Sequence, residues 1–97
     1  MITCFDIADY FIQLSNETGS YTSNLKLQKL VYYTQAWYLA LYDKPLFRED
    51  FQAWVHGPVI PALYHEYKKF GSAPISKEDL NVSFPSSIDA HLKLEGE

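Results

Sequence analysis

The feature that most constrains this chain is an eighteen-residue stretch, residues 25–42, that contains neither glycine nor proline. Its apolar positions recur at helical spacing and share one face, formed by Leu27, Leu30, Val31, Thr34, Tyr38 and Leu41. Three further residues widen this face to more than about a third of the helix circumference, namely Tyr33, Trp37 and Ala40. A helix that is apolar over so wide an arc has to be covered on two sides, so we predict that it is the central helix of the domain.

A chain of 97 residues forms one domain at most, and a domain of this size has a modest core. Aromatic residues make up 16% of the sequence, and each one that is buried removes about 150–250 Å² from water. We therefore expect aromatic side chains to supply much of the core. Eight of them are tyrosines, whose hydroxyl groups need partners, which favours either a core rim or a binding surface.

A first helix is predicted before the central one. Thr3 followed three residues later by Asp6 is a loose capping box, and apolar residues then recur at helical spacing. We expect this helix to run from about Cys4 to Ser15, and Gly19 can adopt the positive φ that ends a helix.

The segment after the central helix predicts a short β-hairpin. Residues 46–47 and 51–55 are rich in β-forming side chains and could pair as a minimal hairpin at about 46–55. The tripeptide at 56–58, His-Gly-Pro, then predicts a tight bend, because glycine tolerates unusual backbone angles and proline fixes φ. We expect this bend to start a third helix from about Pro61 to Phe70.

Beyond Gly71 the sequence becomes polar and acidic, and Ser86 or Ser87 could cap a last segment, IDAHLKL, that predicts an incomplete C-terminal helix. The expected fold is therefore a small, mainly α domain with three main helices, a minimal hairpin and this partial helix. We divide the chain into a helical core at 1–75 and a short polar extension at 76–97.

Charge and cysteine content exclude several classes of protein. The net charge of −4 argues against non-specific duplex binding, which needs a basic surface. Cys4 is the single cysteine, so no disulfide can form within the chain. The start of the chain has no basic leader, and no apolar stretch reaches the ~18 residues that a membrane span needs. We predict no membrane association and a cytoplasmic location.

The sequence lacks the patterns on which catalytic, cofactor-binding or metal sites are usually recognised. It contains no glycine-rich phosphate loop, no Gly-x-Ser-x-Gly and no Cys-x-x-Cys, and its three histidines have no metal-ligand spacing. Two alternatives stay open, a Cys4 nucleophile and a His56 acid or base, although a buried cysteine and a turn histidine explain these positions better. We predict no catalytic, cofactor or metal site, and hence that the protein is not an enzyme.

The stretch KLQKLVYYTQAWYLAL, followed by an Ala-Trp pair before His-Gly-Pro-Val and by Pro61, resembles the Panacea domain of the SocA-like antitoxin family of bacteria and their phages. The likeness covers about residues 5–75. The matching positions, which are either fold-defining or partner-binding, are Leu27, Lys29, Leu30, Trp54, Gly57 and Pro58.

The resemblance implies a mainly helical, non-catalytic antitoxin of a type II toxin–antitoxin pair that neutralises a cognate toxin protein by direct binding. For the SocA-like case it implies an adaptor that delivers the toxin to an ATP-dependent protease. Members of the family continue with further helices, so we expect the central helix to be partly uncovered and a partner chain or a second copy to cover it.

Candidate partner-binding residues come from the central helix and the bend, and they are Lys26, Lys29, Tyr33, Trp37, Trp54, His56, Gly57 and Pro58. The first two are cations near the start of a helix, where the helix dipole disfavours them, so either an acidic neighbour, a ligand or solvent holds them. The alternative function is a prophage-associated, DNA-binding or autoregulatory protein that uses Lys26, Lys29, Lys68 and Lys69. The acidic balance makes nucleic acid the less favoured partner.

Overall fold

The computed structural model describes residues 2–96 and shows a mainly α fold, as the sequence predicts. These described residues form four α-helices, one antiparallel β-hairpin and a single 3₁₀ turn. Their bounds are α1 Cys4–Thr18, α2 Asn24–Tyr42, β1 Gln52–Trp54, β2 Gly57–Val59, α3 Pro61–Tyr67, the 3₁₀ turn Lys68–Phe70, and α4 Ser86–Gly96.

Helix α1 begins with the predicted capping box. The Thr3 hydroxyl accepts a hydrogen bond from the Asp6 backbone N–H at 3.2 Å, and the Asp6 carboxylate accepts one from the Thr3 N–H at 2.9 Å. The helix continues to Thr18 rather than Ser15, because its polar last turn stays helical until Gly19 takes a left-handed conformation with φ of 72°. The end of α1 was therefore placed too early, although the glycine that ends it was identified.

Helix α2 is buried along its first half only. The buried residues are Asn24, Leu27, Gln28, Leu30, Val31 and Thr34. The prediction that Leu41 lies on the buried face is wrong, since 58% of its side chain is exposed, and Ala40 is exposed as well. Helix α4 reaches as far as Trp37, where its His91 ring packs against the indole. The last turn and a half of α2 therefore faces solvent.

The hairpin lies at residues 52–59 rather than at 46–55. Its register places Gln52 opposite Val59 and Trp54 opposite Gly57. Leu46 and Phe47 are buried but do not form a strand. The side-chain amide of Gln35 binds their backbone instead, accepting from the Leu46 N–H at 2.7 Å and donating to the Phe47 carbonyl at 2.9 Å.

The His-Gly-Pro sequence belongs to this hairpin and does not start a helix. Val55 and His56 form the two-residue turn, and Gly57 follows with φ of 118°, an angle that side-chain-bearing residues rarely adopt. In a two-residue hairpin the Ala53–Pro58 pair is the one without ladder hydrogen bonds, so the missing N–H of Pro58 costs nothing there. Helix α3 begins later, with Pro61 in its first turn.

Helix α3 is confirmed over Pro61–Tyr67, and its predicted last turn tightens to a 3₁₀ turn that Gly71 closes with φ of 57°. Leu63 and Tyr67 point into the core, and Phe70 packs against it while partly exposed.

Residues 72–85 have no regular secondary structure and are held by side chains of α1. The Gln13 amide accepts from the Val82 N–H at 2.9 Å and donates to the Val82 carbonyl at 3.2 Å, as a neighbouring strand would. Lys77 forms an ion pair with Asp9 at 2.7 Å. The segment therefore follows a defined path along the outside of α1.

Helix α4 packs against both α1 and α2, and its buried Ile88 and Leu92 belong to the same core as the first three helices. The Tyr10 hydroxyl of α1 donates a 2.6 Å hydrogen bond to the Asp89 carboxylate. The alternative cap at Ser87 lies outside the described side chains. No helix within residues 2–96 is both long enough and apolar enough to cross a membrane.

Candidate partner-binding groove

A groove of about 700 Å³ opens between the start of α2, the hairpin and α3, and this is the size of many ligand pockets. We call it the hairpin groove. It is lined by Ser23, Asn24, Leu25, Ala53, Trp54, Val55, His56, Val59, Tyr64, Gly71 and Ser72. None of these side chains carries an acidic or a lysine or arginine charge.

The aromatic wall of the groove is built by the hairpin and α3. The rings of Trp54 and Tyr64 meet edge to face with centroids 5.1 Å apart. The Trp54 indole N–H donates to the Gln52 side chain at 3.1 Å, so the indole is held at both ends. Trp54 is still 38% exposed. A large apolar surface that is fixed in place and open to solvent suits partner binding, because little side-chain entropy remains to be lost.

Two buried polar residues of α2 fix the groove walls relative to each other. The Asn24 amide donates to the Tyr64 carbonyl at 3.0 Å. Gln28 donates to the Asn24 side chain at 3.1 Å and accepts from the Ile60 N–H at 3.1 Å. These bonds join the first turn of α2 to the start and middle of α3. They preorganise the groove before any partner arrives.

The tip of the hairpin stands beside the groove and is exposed to solvent. Val55 has 97% of its side chain exposed, and His56 is exposed next to it. An apolar residue at the tip of a two-residue turn contributes nothing to the core. Val55 is therefore free to contact another molecule beside the groove.

The structure brings some of the predicted site residues together and separates others. Trp54 and His56 line the hairpin groove, and Gly57 and Pro58 form the strand behind them. Lys26 is exposed beside the groove, where its ammonium group donates to the Tyr21 carbonyl at 3.4 Å. This hydrogen bond helps to hold the Lys26 ammonium group near the start of α2.

The remaining three predicted residues of α2, Lys29, Tyr33 and Trp37, do not line the groove. Lys29 is exposed one turn after Leu25. Tyr33 is exposed and touches the ring of Tyr32, with centroids 5.9 Å apart. Trp37 packs on His91 of α4, with centroids 4.5 Å apart, and its buried indole N–H has no hydrogen-bond partner within the described part of the chain. The sequence prediction thus combined a groove residue, Trp54, with a residue of the α2–α4 contact.

Leu25, Val55 and Tyr64 line the groove, and sequence reasoning did not select them. The available signal was the apolar Val55 two positions before a Gly-Pro pair, where a turn would usually carry a polar residue. Leu25 and Tyr64 have no such signal, because in the sequence each is one of several apolar residues within a helix. Only the packing of α3 against α2 places them in one surface.

The environment of Cys4 does not favour its role as a catalytic nucleophile. Cys4 is fully buried, and burial together with the nearby Glu49 carboxylate raises the pKa of its thiol to about 12. A thiol with so high a pKa is not a nucleophile at neutral pH. Within residues 2–96 no group of three His, Cys, Asp or Glu side chains is arranged to hold a metal ion.

A polar cluster outside the groove joins three parts of the chain. Lys77 contacts both Asp9, at 2.7 Å, and the Tyr67 hydroxyl, at 3.2 Å. Burial lowers the pKa of Lys77, but the hydrogen bonds to Asp9 and Tyr67 outweigh it and raise the pKa. Burial also raises the pKa of Tyr67. The cluster stabilises the charged lysine and holds the 72–85 segment against α1 and α3.

The comparisons with known proteins agree with the resemblance seen in the sequence. The family described as "Antitoxin SocA-like, Panacea domain" matches residues 27–93. The protein named antitoxin SocA from Caulobacter vibrioides is 35% identical over 83 residues, and the alignment covers 75% of this chain but 44% of that protein. No solved structure matches the chain. The family match includes most of α2, the hairpin, α3 and most of α4, and the chain belongs to the SocA-like, Panacea domain family.

Proposed function

We propose that this chain is an antitoxin module that neutralises a cognate toxin by binding it directly through the hairpin groove, and that it does so without catalysis. The observation that carries the proposal is the groove itself. It exposes a fixed Trp54 and an almost fully exposed Val55 on a concave surface of a domain from an antitoxin family. Tryptophan is among the residues most enriched at interface hot spots.

Features of the chain support this role over an enzymatic one. The groove lining holds one histidine, His56, and no acidic side chain accompanies it there. A general acid or base usually needs a second polar group to orient it. Recognition of a protein surface needs only apolar anchors and a polar rim, which the groove has. We place this activity in the cytoplasm.

The test is co-expression with the protein encoded by the neighbouring open reading frame. If that protein arrests growth alone, we expect this chain to restore growth and to co-purify with it. Unchanged toxicity in the presence of the folded chain would contradict the proposal.

A second measurement separates direct neutralisation from delivery to an ATP-dependent protease. We expect the toxin to have the same lifetime, measured after translation is stopped, with and without this chain. The adaptor mechanism predicts a shorter lifetime that depends on the protease. Purified components make the same distinction, because direct neutralisation inhibits the toxin without a protease or ATP.

A further inference from the structure

The hairpin groove lies in the one basic part of an acidic molecule. Residues 22–71 carry six Lys or Arg against four Asp or Glu, whereas the segments before and after them each have a net charge of −3. The groove is formed entirely from residues 23–72. The segment that forms the groove therefore carries a net charge of opposite sign to the segments before and after it.

Lysines border the groove on both helical walls. Lys29 follows Leu25 by four residues on α2, and Lys68 follows Tyr64 by four residues, as the C-cap directly after α3, where its backbone is still helical. Residues with this spacing share a helix face, so both lysines lie on the faces that line the groove. The full set of exposed lysines around it is Lys26, Lys29, Lys68 and Lys69.

Among the described residues, no acidic side chain forms an ion pair with these lysines. The ion pairs among the described residues join Lys77 to Asp9 and Lys93 to Asp89, far along the sequence from the groove lysines. On α3, Glu66 lies two positions from Tyr64, which is about 200° around a helix and so on another face. The groove therefore combines an apolar floor with a positive rim.

This combination identifies the chemistry of a complementary partner. An acidic protein segment can place carboxylates on the rim and an apolar side chain on the floor at the same time. A nucleic-acid duplex would supply the negative charge, but the acidic remainder of the chain repels it and it offers no apolar side chain. We propose that the groove binds an acidic segment of the toxin, with an apolar side chain of that segment against Leu25, Trp54 and Tyr64. This proposal rests on the proposed function, because the toxin is the partner.

The test measures binding of the purified, fluorescently labelled toxin to the full chain by anisotropy, over a range of salt concentrations. In the double variant Lys29→Glu with Lys68→Glu we expect Kd to rise about tenfold or more at low salt, because like charges then face each other. The matched control, Lys44→Glu with Arg48→Glu, makes the same change in net charge on exposed residues that follow the far end of α2. It should change Kd by less than about threefold.

Mapping the bound segment completes the test. Overlapping peptides that cover the toxin should compete for the chain, and the competing peptide should have a net negative charge and at least one aromatic or aliphatic residue. If the toxin binds but the rim variant and its control bind equally, or the competing peptide is basic, this inference is overturned while the proposed function stands. If the double variant Lys29→Glu with Lys68→Glu still binds the toxin but no longer binds a promoter duplex that the wild type binds, the lysines bind nucleic acid instead. If the toxin does not bind the wild type at all, the proposed function itself fails.

Discussion

The two halves of α2 look alike in sequence and differ in the structure. The half from Asn24 to Thr34 buries its apolar face against neighbouring elements, with Leu27 and Val31 fully enclosed. The half from Gln35 to Tyr42 continues the apolar spacing, yet Leu39 is 48% exposed and Leu41 more so. Helix geometry is the same in both halves. What differs is how much of each half is covered: in the second half α4 packs against Trp37, but Leu39 and Leu41 stay exposed.

This difference separates the residues that make the fold from those that are free for other uses. The buried half supplies Asn24 and Gln28, which fix α3 and hence the walls of the hairpin groove. None of the residues that line the groove comes from the exposed half. Exposure of apolar side chains alone therefore does not define the candidate site; a fixed concave surface does.

The largest expected contrast comes from the same substitution in each half. Leu27→Ala should lower the free energy of unfolding by about 2–5 kcal/mol, because it opens a cavity in the core. Leu41→Ala is the matched control on the exposed half and should change stability by less than about 0.5 kcal/mol. Urea unfolding followed by circular dichroism measures both. Similar losses in the two variants would show that the exposed half is covered in solution.

A second contrast uses the two glutamines of α2. Gln28 is 1% exposed, and Gln28→Ala leaves the Ile60 N–H and the Asn24 side chain without their partner. We expect a loss of about 1–3 kcal/mol, the usual cost of unsatisfied buried polar groups. Gln35→Ala should cost less than about 1 kcal/mol, because Gln35 is partly exposed and water can replace its bonds to Leu46 and Phe47. A larger loss in the Gln35 variant would reverse this order.

A smaller effect is expected where α4 is held against α1. The hydrogen bond from Tyr10 lowers the pKa of the Asp89 carboxyl below its ordinary value, with a contribution from Lys93 and an opposing one from burial. Ionised Asp89 therefore stabilises the fold above about pH 4, and this contribution is lost as the pH falls through the lowered pKa.

The check compares urea midpoints of the wild type and of Asp89→Asn between pH 5 and 2.5. The wild type should be the more stable at pH 5, and the difference should shrink towards zero as the pH falls. Contributions of the other carboxyl groups cancel in the difference. A difference that does not depend on pH would show that the ionised form of Asp89 has no role in holding α4.

The helices could be predicted from the sequence because local signals mark their ends. The Thr3–Asp6 capping box, the glycines at 19 and 71, and Pro61 all act where they were expected to act. The end of α1 was misplaced because a polar last turn gives no apolar periodicity to follow. The mainly α class and the family were likewise recognisable, since they depend on the long central helix and on residues around the hairpin.

The hairpin register and the groove could not be predicted in the same way. β-Propensity placed a strand at residues 46–47, but a side chain distant in sequence, Gln35, binds that backbone. The turn at Val55 and His56 has none of the residues that usually mark a turn. Gln28 gave no signal because a polar residue on a helix normally faces water. These features depend on contacts between elements, which local sequence does not encode.

The central claim is that the hairpin groove, and not the exposed half of α2, binds the toxin. The most direct measurement is calorimetric titration of the toxin with four forms of the chain: wild type, Trp54→Ala, Val55→Asp and Leu41→Ser. Val55 and Leu41 are both exposed, so neither change should alter folding, and the urea midpoints check this. We predict that the two groove variants weaken binding by at least about 2 kcal/mol, as hot-spot substitutions do, and that Leu41→Ser binds as the wild type does. Loss of binding in Leu41→Ser, with the groove variants unaffected, would contradict the claim.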